Sequence, residues 1–212
     1  MSCPYRFIVL DGVEGAGKST QLARLAEALR AAGEDVLVTV EPGGTPVGEA
    51  IRALLLSPDY PEMTPLTEVF LFCASRAQHV GQVIRPALAA GRLVLCDRFS
   101  AATFAYQGHA GEAGDELVVA LDEAATGGLA PDMTIILDLP PEEGLRRKFG
   151  EGSGGAHADR IERNALEFHR RVRAGFHAYA RRYPERTAII DAARGEDEVF
   201  AAICAALGIG CA

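Results

Sequence analysis

Lysine and asparagine are scarce in this sequence: 212 residues include only Lys18, Lys148 and Asn164 of those types. The single asparagine is followed by Ala165, so the N-K-x-D signature by which GTP-dependent switches read guanine is absent. No apolar run is long enough to span a membrane. The N-terminus has no basic segment followed by a long apolar one, so no signal peptide is evident and a cytoplasmic protein is expected. The five cysteines, Cys3, Cys73, Cys96, Cys204 and Cys211, are odd in number and form no C-x-x-C. Cys73 and Cys96 lie in apolar surroundings, which reads as buried reduced thiols rather than a disulfide framework. Positive charge is in deficit: 21 Lys and Arg face 29 Asp and Glu, a net charge of −8. That excludes non-specific binding to nucleic acid or an anionic membrane as the main task, but leaves room for a local basic pocket.

What is present begins with an apolar run, Phe7-Ile8-Val9-Leu10, followed by a glycine-rich loop. Gly12 through Ser19 read G-x-x-x-x-G-K-S, the phosphate-binding loop, and a helical pattern at Leu22, Leu25, Ala26 and Leu29 follows. Glycines let successive N–H groups turn inward around a phosphate. The next helix aims its positive end at the same place. Lys18 would reach the outer phosphates, and the Ser19 hydroxyl is placed to ligate Mg²⁺. A plain Gly-rich turn is the alternative, but it accounts for neither the spacing nor the strand–loop–helix context.

Strands are expected at 5–10, 36–40, 93–96, 133–138 and 188–191. Helices are expected at 18–32, 46–56, 66–89, 99–107, 114–126, 141–149 and 196–207. Apolar residues from Ile161 to Tyr183 recur at intervals of three and four, marking one face of a further helix over 159–183. With no linker or internal repeat, residues 1–212 read as one α/β domain. Strands alternating with helices predict a parallel sheet covered on both faces, with ligands beyond the carboxyl ends of the strands. Gly12–Ser19, Glu41, Asp97 and Arg98 would gather there. In that setting Asp97 can hold the Mg²⁺ shell or orient Lys18, and Arg98 can clamp a second phosphate. Equally, Asp97 can cap the next helix and Arg98 can be solvated.

The longer stretch around that pair shifts the balance. Asp97-Arg98-Phe99-Ser100-Ala101-Ala102-Thr103-Phe104-Ala105-Tyr106-Gln107-Gly108 resembles the D-R-[YF]-x-x-S-x-x-A-Y-Q-G stretch of thymidylate kinases. Glu41-Pro42-Gly43-Gly44-Thr45 resembles that family's E-P-G-G-T, and Phe70 to Arg76 its L-x-F-x-A-x-R segment. Asp159-Arg160-Ile161-Glu162 resembles its D-R-x-E. The matches occur in family order over nearly the whole chain, which makes them together far more specific than the phosphate loop alone.

The resemblance implies a P-loop kinase fold, a five-stranded parallel sheet in order 2-3-1-4-5 with a short mobile lid at approximately 146–159. It implies transfer of the ATP γ-phosphate to dTMP with Mg²⁺, supplying dTTP synthesis, in a homodimer built from long helices. ATP would lie on Gly12, Val13, Glu14, Gly15, Ala16, Gly17, Lys18, Ser19 and Thr20, with Ser19 and Asp97 as metal residues. Glu14 would face the sugar and the metal region, and Glu41 would belong to the acceptor site. Arg98 would hold the dTMP phosphate, Phe72 would stack on thymine and Arg76 would bond a thymine carbonyl. Thr103 and Gln107 would line the base pocket, and Tyr106 would crowd the sugar 2′ position. Read from the residues alone, Phe72 and Tyr106 could as well be core.

Two departures from the family pattern stand out. Ala102 occupies the place of a usual serine. The lid candidates Arg146, Arg147 and Lys148 lack the further arginine often found a few residues on. Ala16 leaves no arginine in the phosphate loop, so the cation between the two substrates falls to the lid, with Arg147 the first choice and Arg146 and Arg160 as alternatives. Lys18, Arg98, Arg147, Glu14 and Asp97 are thus the expected catalytic set. The competing reading is a deoxynucleoside kinase, with the same loop and an unphosphorylated acceptor; Arg98 beside Asp97, together with Glu14, favours a monophosphate.

Overall fold

The computed structural model describes residues 3–150 and 166–210. Five strands form one parallel sheet: β1 (Phe7–Gly12), β2 (Val36–Val40), β3 (Leu93–Asp97), β4 (Met133–Asp138) and β5 (Thr187–Asp191). Their order is β2-β3-β1-β4-β5, as the resemblance implies. β1 runs two residues further than the sequence pattern indicates, because Asp11 and Gly12 still pair with Ile136 and Leu137 of β4.

The central strand is apolar on both faces, as a parallel sheet covered on both sides requires. Ile8 and Leu10 point into a core shared with α1 (Lys18–Ala31), α8 (Leu166–Arg182) and α9 (Glu196–Leu207). Phe7 and Val9 point the other way, toward Ile84, Val94, Cys96 and Phe99. All four β1 side chains are at most 1% exposed.

The expected helix over 66–89 is not uniform. It runs as α3 (Pro65–His79), a wider π-helical turn (Val80–Ile84) and α4 (Arg85–Ala89). The cause is Pro86, which has no N–H to donate and whose ring crowds the carbonyl four residues back. The winding opens instead, and the Arg85 N–H bonds the Val80 carbonyl. The expected helix over 99–107 is likewise a short α5 (Ser100–Thr103) followed by a π-helical turn (Phe104–His109). The remaining helices are α2 (Pro46–Leu56), α6 (Asp115–Thr126) and α7 (Pro141–Phe149), close to their expected spans. Of the helix expected over 159–183, α8 is the described part; Arg160, the D-R-I-E segment and most of the expected lid lie outside the described residues. Cys3, Cys73 and Cys96 are buried free thiols as expected. Cys204 departs from that expectation, being disulfide-bonded.

No helix among the described residues is long and apolar enough to cross a membrane. In the register, Leu10 and Val40 both pair with Asp97, which brings the carboxyl ends of β1, β2 and β3 together at one edge of the fold.

Candidate active site

A cavity of about 490 Å³ opens at that edge. Its walls include the phosphate loop from Glu14 to Thr20, Glu41, Asp97, Arg98, Tyr106 and Gln107. The phosphate loop follows β1 directly and leads into α1 through Gly17, whose φ of 83° is left-handed. A Cβ on Gly15 would run into the carbonyl oxygen of Gly144 in α7, and one on Gly144 into that of Glu14. The loop and α7 therefore touch backbone to backbone, and α7 carries Arg147 and Lys148 to the cavity wall.

Lys18 is 8% exposed and donates to the loop carbonyls of Gly12 (3.1 Å) and Val13 (2.8 Å). Burial, then the charge of Arg98, lower its pKa to about 8 against the pull of Glu14, Asp97 and Asp11. The Ser19 hydroxyl faces Asp97 Oδ2 at 3.5 Å, and Asp97 Oδ1 is buried without a hydrogen-bond partner. A hydroxyl beside an incompletely satisfied carboxylate is a hard oxygen pair that fits Mg²⁺. Among the described residues no group of three or more His, Cys, Asp or Glu could hold a metal ion alone.

Glu14 is the hub of one side of the cavity. It accepts from Arg98 Nη2 at 2.6 Å, Lys148 Nζ at 2.8 Å and the Tyr106 hydroxyl at 3.1 Å. Burial pushes its carboxyl up, but Arg98, Lys18 and Lys148 outweigh burial and hold it well below the usual carboxylate range. Arg98 also lies 3.8 Å from Asp11 and over the Tyr106 ring at 5.3 Å. Its φ of 69° is left-handed, and its N–H is held by the Leu10 carbonyl at 3.0 Å. Asp11, completely buried, accepts from the Gly12 and Phe99 N–H groups. Burial raises its carboxyl pKa to about 6 against Arg98 and Lys18.

The other predicted residues divide. Glu41, Phe72, Tyr106, Gln107 and Arg147 border the cavity, and Ala102 borders it with a methyl where a hydroxyl was expected. Phe72 is only half-buried, so it is not core. Gln107 donates to Glu68 at 3.2 Å. Arg76 and Thr103 are each 1% exposed and stand behind the wall, bonded to one another at 2.9 Å. Arg146 is exposed, paired with Glu143 and away from the cavity. Arg147 donates to Glu143 and to the Ala192 carbonyl at 3.0 Å.

Sequence reasoning missed Arg52, Asp11 and Asp122. Arg52 borders the cavity from α2 and donates to the Pro42 carbonyl at 2.8 Å; its signal was a lone arginine about two turns beyond the cap at Thr45. Asp122 of α6 pairs with Arg76 Nη1. No local pattern marks it, because α3 and α6 meet only in three dimensions.

A family model described as thymidylate kinase matches residues 10–203. A thymidylate kinase of Desulfosudis oleivorans is 51% identical over 204 residues, covering 95% of each chain. One of Caulobacter vibrioides is 52% identical over 197 residues, 93% of each. The crystal structure of thymidylate kinase from Ehrlichia chaffeensis superposes with a TM-score of 0.75 at 30% identity, covering 96% of this chain and 98% of that one.

Proposed function

The chain belongs to the thymidylate kinase family, and on that premise we propose how its residues carry the reaction. The enzyme is a dTMP kinase: it transfers the γ-phosphoryl group of ATP to dTMP. A phosphate oxygen of dTMP forms the new bond to phosphorus, the bond from the β–γ bridging oxygen breaks, and dTDP and ADP result. Such a transfer depends on positioning and charge neutralisation more than on covalent chemistry.

Gly12–Thr20 cradle the ATP phosphates, and Lys18 turns from the loop carbonyls to the outer phosphates. Ser19 and Asp97 would hold the Mg²⁺ that accompanies ATP, which supplies neutralisation of phosphate charge when bound. Arg98 takes the dTMP phosphate. The observation that carries this reading is the convergence of Arg98, Lys148 and the Tyr106 hydroxyl on the Glu14 carboxylate. One anion already sits among those donors, so an acceptor phosphate is drawn to the same cations and releases Glu14 toward the sugar. Phe72 stacks on the base and Gln107 borders it. Arg76 has five guanidinium N–H groups; its three nitrogens are already engaged within the protein behind the cavity wall, and the remaining hydrogens on Nη1 and Nη2 are the donors that would reach through to a thymine carbonyl. Tyr106 crowds the 2′ position, and Arg147 is the lid cation between the two substrates.

We read residues 1–212 as one kinase domain with a lid near 146–159. Two copies pair through the apolar face that leaves Leu66 and Phe70 of α3 and Leu117 of α6 exposed. The cytoplasm, where ATP is supplied, is its compartment. The test is ADP release with ATP and Mg²⁺ and a panel of acceptors. The expected order is dTMP, then dUMP, with dCMP, dGMP and UMP poor. An unphosphorylated acceptor, thymidine, turning over as fast as dTMP would favour the deoxynucleoside kinase reading instead.

A further inference from the structure

The Glu41-Pro42-Gly43-Gly44-Thr45 loop is held by one face of α3. Ser75 Oγ accepts from the Gly43 N–H at 3.2 Å, Arg76 Nε donates to Glu41 Oε2 at 2.8 Å, and His79 Nδ1 lies 2.9 Å from Glu41 Oε1. The other imidazole nitrogen, Nε2, lies 2.7 Å from Thr39 Oγ1 in β2. His79 is completely buried. Gly44 has a φ of 72°, and a Cβ there would come within 2.6 Å of His79 Nε2 and 2.9 Å of Thr39 Oγ1. The loop is thus folded down onto the imidazole, and the space exists because position 44 has no side chain.

A carboxylate can only accept, so Nδ1 carries the hydrogen and donates to Glu41; in the neutral imidazole Nε2 then accepts from the Thr39 hydroxyl. Thr39, His79, Glu41 and Arg76 then form one connected chain, with Glu41 accepting from both His79 and Arg76. Its far end is the guanidinium, whose plane is fixed at three nitrogens by Glu41, Asp122 and Thr103. Of these anchors, Glu41 is the one whose second oxygen is itself held by a completely buried group. Turning Glu41 would turn the donors with which Arg76 meets a base.

We propose that His79 is a positioning residue for base selection, fixing Glu41 through Nδ1 and through it the orientation of Arg76. This rests on the reading of Arg76 as the group that meets the acceptor base. Discrimination between a carbonyl and an amino group depends on where a donor points, so a residue that never touches substrate can set it.

The test uses His79→Gln, His79→Asn and Thr39→Val in the full chain, with steady-state kinetics on dTMP, dCMP and ATP. The Asn amide nitrogen falls near the position of Nδ1 and keeps the bond to Glu41. The Gln amide falls near Nε2, keeping the Thr39 side and releasing Glu41. His79→Gln should raise the dTMP KM and erode the preference for dTMP over dCMP by about tenfold each, the scale of one hydrogen bond to a charged group. The ATP KM should stay within about twofold, and His79→Asn should restore dTMP kinetics to near wild type. Thr39→Val, which leaves the imidazole in place, should act in the same direction by about threefold. Wild-type preference in all three variants, or equal losses for ATP and dTMP, overturns the proposal. Should the His79 variants not fold, an unchanged dTMP-to-dCMP preference in Thr39→Val overturns it. A wild-type enzyme without preference for dTMP over dCMP would instead refute the reading of Arg76 itself.

Discussion

Replacing Lys18 by methionine should remove most turnover and raise the melting temperature of the unliganded enzyme. Lys18 is 8% exposed, and burial and Arg98 bring its pKa from 10.5 to about 8. A difference of that size means that carrying the charge in the folded state costs about 3 kcal/mol. Methionine fills similar space without the charge. It forfeits the hydrogen bonds to Gly12 and Val13, each contributing roughly 0.5–1.5 kcal/mol. The net gain is about 0–2 kcal/mol, which for a chain of this length is an increase of up to about 8 °C. The folded-state pKa lies below the unfolded one, so the penalty is complete below pH 8 and fades as pH rises toward 10.5. The gap between variant and wild type should therefore narrow across that window. Thermal melts from neutral pH to 10.5, beside a coupled ADP-release assay, measure both arms. Turnover should fall by about a thousandfold, the scale of losing one pre-organised charge contact. A variant that melts below wild type would refute the claim that the site holds this charge at a cost. Near-normal turnover would refute the role of Lys18 altogether.

Three further outcomes are expected. Arg98→Ala should raise the dTMP KM by about tenfold or more and leave the ATP KM nearly unchanged; equal losses for both nucleotides contradict the division of labour. Asp11 has a folded-state pKa of about 6, above its ordinary 3.8, so its contribution to stability falls as pH rises through that interval. The stability gain of Asp11→Asn, from urea titrations, should accordingly grow between pH 3.8 and 6, and a constant difference would sink the assignment. Arg147→Ala should slow turnover by about tenfold or more while Arg146→Ala stays within about twofold; the reverse order in single-turnover measurements would place the lid cation elsewhere.

The strands and the phosphate loop were legible because their signals are local. Phe7–Leu10, Gly12–Ser19 and the helical spacing after them lie within one βα unit. Pro86 was equally visible, but the helical period on both sides of it hid the wider turn it imposes. The site residues on the D-R and E-P-G-G-T stretches could be named from resemblance, and Glu41, Phe72, Arg98, Tyr106 and Gln107 do meet at one cavity. What could not be read was pairing at a distance. Asp122 and Arg76 are 46 residues apart, and Lys148 and Glu14 134. Arg76 and Thr103 were expected to line the base pocket. Their burial follows from satisfying a charge between two carboxylates, a requirement that no spacing in the sequence expresses.

The backbone contact between Gly15 and Gly144 bears on how this fold can be inferred from sequence variation. Complementary contacts leave a trace when a larger residue on one side is offset by a smaller one on the other. Here both partners are already the smallest residue, and each faces a carbonyl oxygen rather than a side chain. No exchange at one position can be repaired at the other. The contact that joins the phosphate loop to α7 would therefore produce no correlated substitutions. A map of proximities built from covariation would be blank at the place where the phosphate loop and α7 touch.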